Sequence, residues 1–105
     1  MARSRRDERK AAKFPAGSAS YMSRSVVCRL GGITESQLML WEHEEFVAPA
    51  ATLQVGRRSE PLYDEGALRR IRTIRTLAEE LGVNLPGIGV ILHLLDRMGA
   101  PGDRD

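Results

Sequence analysis

Apolar positions recur at helical spacing in four segments, and a short strand-like segment separates the second from the third. The first helical segment follows Ser23, a residue type that caps helices, and ends at a Gly-Gly pair at positions 31 and 32. Thr34 and Gln37 then match a capping box, in which each side chain bonds the backbone N–H of the other residue. We therefore expect a second helix from residue 35, with Leu38 and Trp41 on its apolar face. Two short helices joined by a glycine turn indicate a helix-turn-helix, although ordinary bundles also use such pairs.

The segment "AATLQVGRRSEPLYD", residues 50–64, predicts a short β-hairpin or an irregular wing. Its apolar residues flank "GRRSEP", whose glycine and proline mark a turn. We expect Arg57 and Arg58 at the tip, with both side chains in solvent. They are either two solvated charges or a pair of donors suited to phosphate or a DNA groove, and we favour the second interpretation.

A third helix is expected after Asp64, a possible N-cap, with apolar positions from Leu68 to Leu81 before Gly82 ends it. Charged residues occupy its opposite side, which is typical of a solvated face. They are Arg69, Arg72 and Arg75.

The last apolar segment predicts a fourth helix, with Pro86 in its first turn and Gly99 as its stop. This helix is apolar on two sides, which exceeds what a small four-helix domain needs. We expect part of it to contact a partner, most simply a second copy of the chain, as a homodimer. The expected contact residues are Val90, Ile91, Leu94, Leu95 and Met98.

The 105 residues fit one small domain with tails and exclude a large enzyme. We expect a disordered basic arm at 1–20, the folded domain at 21–99 and a flexible tail at 100–105. Seven residues follow Met98, so no effector domain is expected. No apolar run is long enough to span a membrane, and no apolar core of a signal peptide follows the basic start, so the predicted location is the cytoplasm.

Catalytic and metal chemistry find no support in the sequence. His43 and His93 lie 50 residues apart with no further ligand at metal-binding spacing. The single cysteine, Cys28, cannot form an internal disulfide and is interpreted as a small buried hydrophobe. We therefore expect no enzyme activity, no metal and no cofactor.

Charge is segregated along the chain although the net charge is only +2. Residues 1–13 hold six basic and two acidic residues, a net charge of +4, and residues 57–75 hold six basic and three acidic residues, a net charge of +3. Between them, residues 33–56 carry four glutamates and no lysine or arginine. Two basic blocks flank an acidic helix, so contact with phosphate would depend on the blocks.

Four segments follow one another along the chain: the two-helix unit with "ITESQLMLWE", the Gly-Arg wing, "LYDEGALRRI" and "LAEELGVNLPGIGVILHLLDRM". In this order they resemble the MerR superfamily of winged helix-turn-helix transcription regulators. The resemblance covers residues 21–98. The "GVNLPGI" segment is most similar to the heat-shock repressor branch, and also to CbpM-like chaperone modulators. The resemblance implies a mainly α, winged helix-turn-helix fold of four helices with a small β wing. In the regulators it also implies a dimer on a palindromic operator.

Two departures from the family pattern lower the expected affinity for DNA. Where the family typically shows Leu-Arg-Tyr-Tyr-Glu, this chain has Leu-Met-Leu-Trp-Glu at 38–42, so Met39 replaces an arginine that braces a phosphate. In the wing, "SEP" displaces the aromatic residue Tyr63. Gln37 could contact an adenine edge only if the cap does not occupy its side chain. The acidic end of the second helix would repel phosphate unless Glu42 and the residues after it point away.

We expect a DNA-binding transcription regulator of the MerR class that contacts duplex DNA through the helix-turn-helix and the wing. The alternative is a protein-binding chaperone modulator that retains the fold without DNA binding. The expected DNA contacts are Arg24, Thr34, Ser36, Gln37, Met39, Leu40, Arg57, Arg58 and Tyr63.

Overall fold

The computed structural model describes residues 20–104, with side chains described up to residue 99, so residues 1–19 of the expected arm at 1–20 lie outside the described residues. The described chain is mainly α-helical with one two-stranded sheet, as expected from the sequence. Its elements are α1 (Arg24–Gly31), α2 (Glu35–His43), β1 (Ala51–Val55), β2 (Arg58–Leu62), α3 (Glu65–Arg75), a π-helical segment (Thr76–Glu80) and α4 (Leu85–Arg104).

The turn between α1 and α2 is built on two glycines. The Ser23 hydroxyl accepts from the backbone N–H of Val26 at the start of α1, as predicted. At its end Gly32 adopts a left-handed φ of 73°, and the N–H of Ile33 bonds the Cys28 carbonyl at 3.0 Å. This six-to-one bond, with that from Gly32 to Arg29, forms a Schellman motif.

Close packing explains the other glycine of the pair. A Cβ on Gly31 would lie 2.7 Å from Cγ2 of Ile71, inside any normal contact distance. Glycine at this position therefore lets α1 approach α3 closely.

The wing is an antiparallel hairpin in which Ala51 pairs with Leu62 and Val55 with Arg58. Gly56 and Arg57 form a two-residue turn, and only Gly56 has a left-handed φ, at 63°. This is the pattern of a type II′ turn, which matches the natural twist of hairpins. The hairpin interpretation is confirmed, while "SEP" belongs to β2.

The core lies between the four helices and the base of the wing. Asp64 caps α3 by accepting from the N–H of Ala67 at 2.9 Å, as predicted. Cys28 is buried as expected, at 4% exposure. The buried hydrophobic residues are Val27, Cys28, Ile33, Leu38, Trp41, Phe46, Val47, Tyr63, Ala67, Leu68, Ile71, Ile74, Ile88 and Leu92.

Two helix predictions need correction. The third helix ends close to the expected stop at Gly82, but only α3, up to Arg75, is α-helical; the continuation to Glu80 is π-helical, and the N–H of Leu81 bonds Thr76 at π-helical spacing. The wider turn shifts the apolar stripe, so Leu81 is 66% exposed. The fourth helix was expected to stop at Gly99, but α4 continues to Arg104.

Candidate functional site

The start of α2 is fixed by the predicted capping box. The N–H of Thr34 donates to Oε1 of Gln37 at 2.9 Å, and the N–H of Gln37 donates to the Thr34 hydroxyl at 3.0 Å. The remaining amide nitrogen of Gln37 donates to Oε2 of Glu79 at 3.3 Å. Both ends of the Gln37 side chain are therefore engaged, and the cap occupies the group that sequence analysis considered for base contact.

The outward surface of α2 presents one small polar side chain and two large apolar ones. Ser36 is exposed, Met39 is 61% exposed and Leu40 is 43% exposed, while Leu38 and Trp41 are buried behind them. We call Ser36, Met39 and Leu40 the α2 face. None of these three side chains is charged, but the exposed Glu35 lies one helical turn before Met39 and therefore borders the face.

Glu42 lies in an internal cluster that joins α1, α2 and the wing. Its Oε1 forms an ion pair with Nη2 of Arg24 at 3.1 Å, and its other oxygen accepts from the Tyr63 hydroxyl. The Arg24 guanidinium carbon also lies 5.9 Å from the centre of the Tyr63 ring. With only 18% of the Glu42 side chain exposed, its charge is neutralised inside the protein. Glu42 is thus less of an obstacle to phosphate than the sequence suggested, whereas Glu44 and Glu45, which follow the helix, are exposed.

The same cluster corrects the expectation for Tyr63 as a DNA contact. Tyr63 is completely buried. Burial and the hydrogen bond to Glu42 raise its pKa well above the usual range, so the hydroxyl stays protonated and donates. Its backbone also pairs with Met22 through bonds of 2.7 and 2.8 Å, fixing the base of the wing to the segment before α1. Arg24, with 28% of its side chain exposed, is mainly held in the cluster.

The wing tip presents the two arginines to solvent, as predicted. Arg58 forms an ion pair with Glu60 at 3.2 Å, but 75% of its side chain remains exposed. An exposed pair of this kind contributes little stability and can exchange for another anion. Arg57 is exposed and has no ion-pair partner within residues 20–99.

Two arginines of α3 lie at the turn between α1 and α2. Nη2 of Arg72 donates to the carbonyl of Leu30 at 3.4 Å, and a Cβ on Gly32 would collide with the Arg75 guanidinium. Arg75 also pairs with Glu79 at 3.2 Å. Both arginines lie on the solvated side of α3, as predicted, but their position beside the turn was not predicted. The high arginine content of residues 57–75 was the available signal.

The expected partner surface on α4 is largely exposed. The exposed fractions are 60% for Val90, 51% for Leu94, 45% for Leu95 and 71% for Met98, and Ile91 is half-buried. Ile88 and Leu92 point into the core instead. One side of α4 therefore completes the domain, and the other forms an apolar surface, which we call the α4 face.

The described residues contain no group of three or more metal-ligating side chains, and both histidines are exposed. Within the same part of the chain, no helix is long and apolar enough to cross a membrane.

A helix pair with this turn, followed by a hairpin wing and two supporting helices, defines the winged helix-turn-helix class. A family model described as MerR HTH family regulatory protein matches residues 22–100. Because the match covers most of the chain, the protein belongs to the MerR helix-turn-helix family. No curated protein gives a significant match.

Proposed function

We propose that this protein is a transcription regulator that binds duplex DNA with the α2 face and the wing tip. The observation that most supports this proposal is that the Glu42 side chain points into the protein. An outward carboxylate there would oppose phosphate, whereas its pairing with Arg24 and Tyr63 removes this charge from the outward surface. The family match agrees with a regulatory role.

Affinity in this proposal comes from arginines outside α2. Arg57 is exposed and unpaired among the described side chains, and Arg58 is held only by an exposed contact. Each phosphate they neutralise releases counterions, which favours binding without contacting a base. These contacts compensate for Met39, which stands where the family has an arginine. The predicted contacts of Thr34 and Ser36 belong to the same surface, at the first turn of α2.

We further propose that the regulator acts as a homodimer through the α4 face. Val90, Leu94 and Met98 are exposed apolar residues on one helix, and pairing two copies would remove this surface from water. A two-fold dimer presents two α2 helices and therefore fits an operator with two inverted half-sites.

The second candidate is a modulator that binds a protein partner. The exposure of Met39 and Leu40 favours it, because apolar side chains on a short helix also suit a protein groove. The heat-shock repressor branch, the CbpM-like alternative and the cytoplasmic location remain predictions.

The experiment is a fluorescence anisotropy titration of a labelled duplex pool of random sequence at several salt concentrations. The log of the affinity should fall steeply with the log of the salt concentration. The double variant Arg57→Gln/Arg58→Gln should reduce this slope by about 2, at about 0.9 per lost phosphate contact.

A matched control is Arg69→Gln, which removes an exposed arginine of α3 that pairs with Glu65 at 3.8 Å. It should leave the slope nearly unchanged. Absence of duplex binding at the lowest salt would reject the regulator and favour the protein-binding candidate.

A further inference from the structure

The apolar part of the α2 face has no role in the core. Met39 and Leu40 are neighbours on α2, yet they are 61% and 43% exposed, while the same helix contributes Leu38 and Trp41 to the interior. Met39 and Leu40 therefore form a small apolar surface that is available to a partner.

Two hydrogen-bonding side chains of α2 are engaged within the protein. Gln37 is bonded at one end to the backbone of Thr34 and at the other to Glu79. Glu42 is bonded to Arg24 and Tyr63. Glu35, Ser36 and His43 are exposed on the same helix. A partner that contacts Met39 and Leu40 can therefore make apolar contacts beside polar ones.

Arginines beside the turn and on the wing favour a polyanion as that partner. Arg72 and Arg75 place guanidinium groups beside the turn that leads into α2, where Arg75 also pairs with Glu79, and Arg57 stands exposed on the wing. An apolar centre with cations at its margin complements the major groove of DNA, where base edges lie between two phosphate chains. The thymine C5 methyl is the apolar group on the base edges of that groove.

We infer that Met39 and Leu40 pack against thymine methyl groups and make the protein prefer thymine opposite α2. The inference rests on the proposed DNA binding and assigns its sequence preference to apolar contact. In this inference the arginines beside the turn and on the wing hold the helix in the groove.

The test compares two labelled 20-base-pair duplexes, one of alternating dA and dT, the other with deoxyuridine in place of every thymidine. The duplexes have the same charge and the same base hydrogen-bonding groups, and they differ only in the C5 methyl. The wild-type protein should bind the thymine duplex more tightly, by about fourfold for one buried methyl group and about fifteenfold for two.

The double variant Met39→Ala/Leu40→Ala should bind both duplexes with the affinity that the wild type shows for the uracil duplex. Both side chains are exposed, and alanine favours helices, so the variant should keep its helical circular dichroism. Any effect of uracil on duplex shape acts equally on both proteins. Leu81→Ala, a change at an exposed leucine outside α2, should retain the full preference for thymine.

Three results would overturn the inference, and they separate it from the proposed function. Equal binding of both duplexes by the wild type would reject the methyl contact while leaving DNA binding intact. A preference for thymine that survives in the double variant would assign the contact to another surface. No binding to either duplex at low salt would reject both proposals and leave the α2 face to a protein partner.

Discussion

Glu42 in the last turn of α2 accepts a hydrogen bond from Tyr63, which follows β2 at the base of the wing. The two residues are 21 positions apart, and Arg24 of α1 closes the cluster from a third side. The orientation of the wing relative to α2 therefore depends on a part-buried hydrogen bond between them. Such bonds contribute more stability than exposed ones because their groups cannot return to water.

Replacing Tyr63 with phenylalanine should destabilise the protein. The ring would remain in the core, but Glu42 would lose a donor, which should lower the free energy of unfolding by about 1–2 kcal/mol. Urea denaturation followed by circular dichroism measures the change. Ser59→Ala removes an exposed hydroxyl of β2 that bonds Gln54, and it should cost less than about 0.5 kcal/mol. Equal effects of the two variants would show that the hydrogen bond from Tyr63 to Glu42 adds no more stability than an exposed one.

Alanine at Gly32 should cost more than alanine at Gly82. Both glycines have a left-handed φ, 73° and 67°, so each substitution carries backbone strain of about 1–2 kcal/mol. Only at Gly32 would the new Cβ also meet the Arg75 guanidinium, since nothing lies within 4 Å at Gly82. Denaturation midpoints of the two variants provide the comparison. Adding Arg75→Ala to Gly32→Ala should recover part of the loss, and no recovery would exclude the steric contribution.

The ion pair between Arg70 and Asp96 should stabilise the protein at neutral pH but not in acid. The hydrogen bond from Arg70, at 2.5 Å, holds the pKa of Asp96 below its ordinary value. A lowered folded-state pKa adds stability above the unfolded-state value, and that stability is lost as the pH falls through the folded-state value.

Asp96→Asn should therefore lower the free energy of unfolding at about pH 7, and its difference from the wild type should shrink towards about pH 2. The effect should be small because 56% of the Asp96 side chain is exposed. Urea titrations at several pH values give this profile. A difference that is independent of pH would assign the effect of Asp96 to packing rather than charge.

Glutamate at Leu94 should separate the proposed dimer without unfolding the domain. Leu94 is 51% exposed, so the charge remains solvated in a monomer but would be buried in the interface. Sedimentation velocity should show the monomer, while circular dichroism stays unchanged. His93→Glu adds the same charge at an exposed polar position of α4 and should preserve the dimer if that side faces solvent. A wild-type protein that sediments as a monomer at high concentration would contradict the proposal.

Local patterns allowed most of the fold to be predicted. The capping box of Thr34 and Gln37, the Asp64 cap and the Gly-Gly turn each depend on residues within a few positions of one another, so their spacing carries the information. The cluster of Glu42, Tyr63 and Arg24 depends on three distant segments meeting in space. For that reason the burial of Tyr63 was missed, and its position after the wing suggested exposure.

The π-helical segment escaped prediction for a different reason. Leu77 and Leu81 continue the apolar spacing of α3, and nothing in their types distinguishes a wider turn from an α-helix. The bond from Gln37 to Glu79 was likewise invisible, since the two residues are 42 positions apart. The sequence alone did reveal the arginines of the site. It also revealed that Met39 stands where the family pattern has an arginine.

The wider turn at Thr76–Glu80 also determines where the chain leaves the third helix. One residue of an α-helix corresponds to a rotation of about 100°. Deleting a single residue from this segment would therefore move the exit of the chain to another side of the helix, and the non-helical residues 81–84 would have to follow a different path to α4. Chain length in this short stretch consequently governs how the last helix is tethered to the domain.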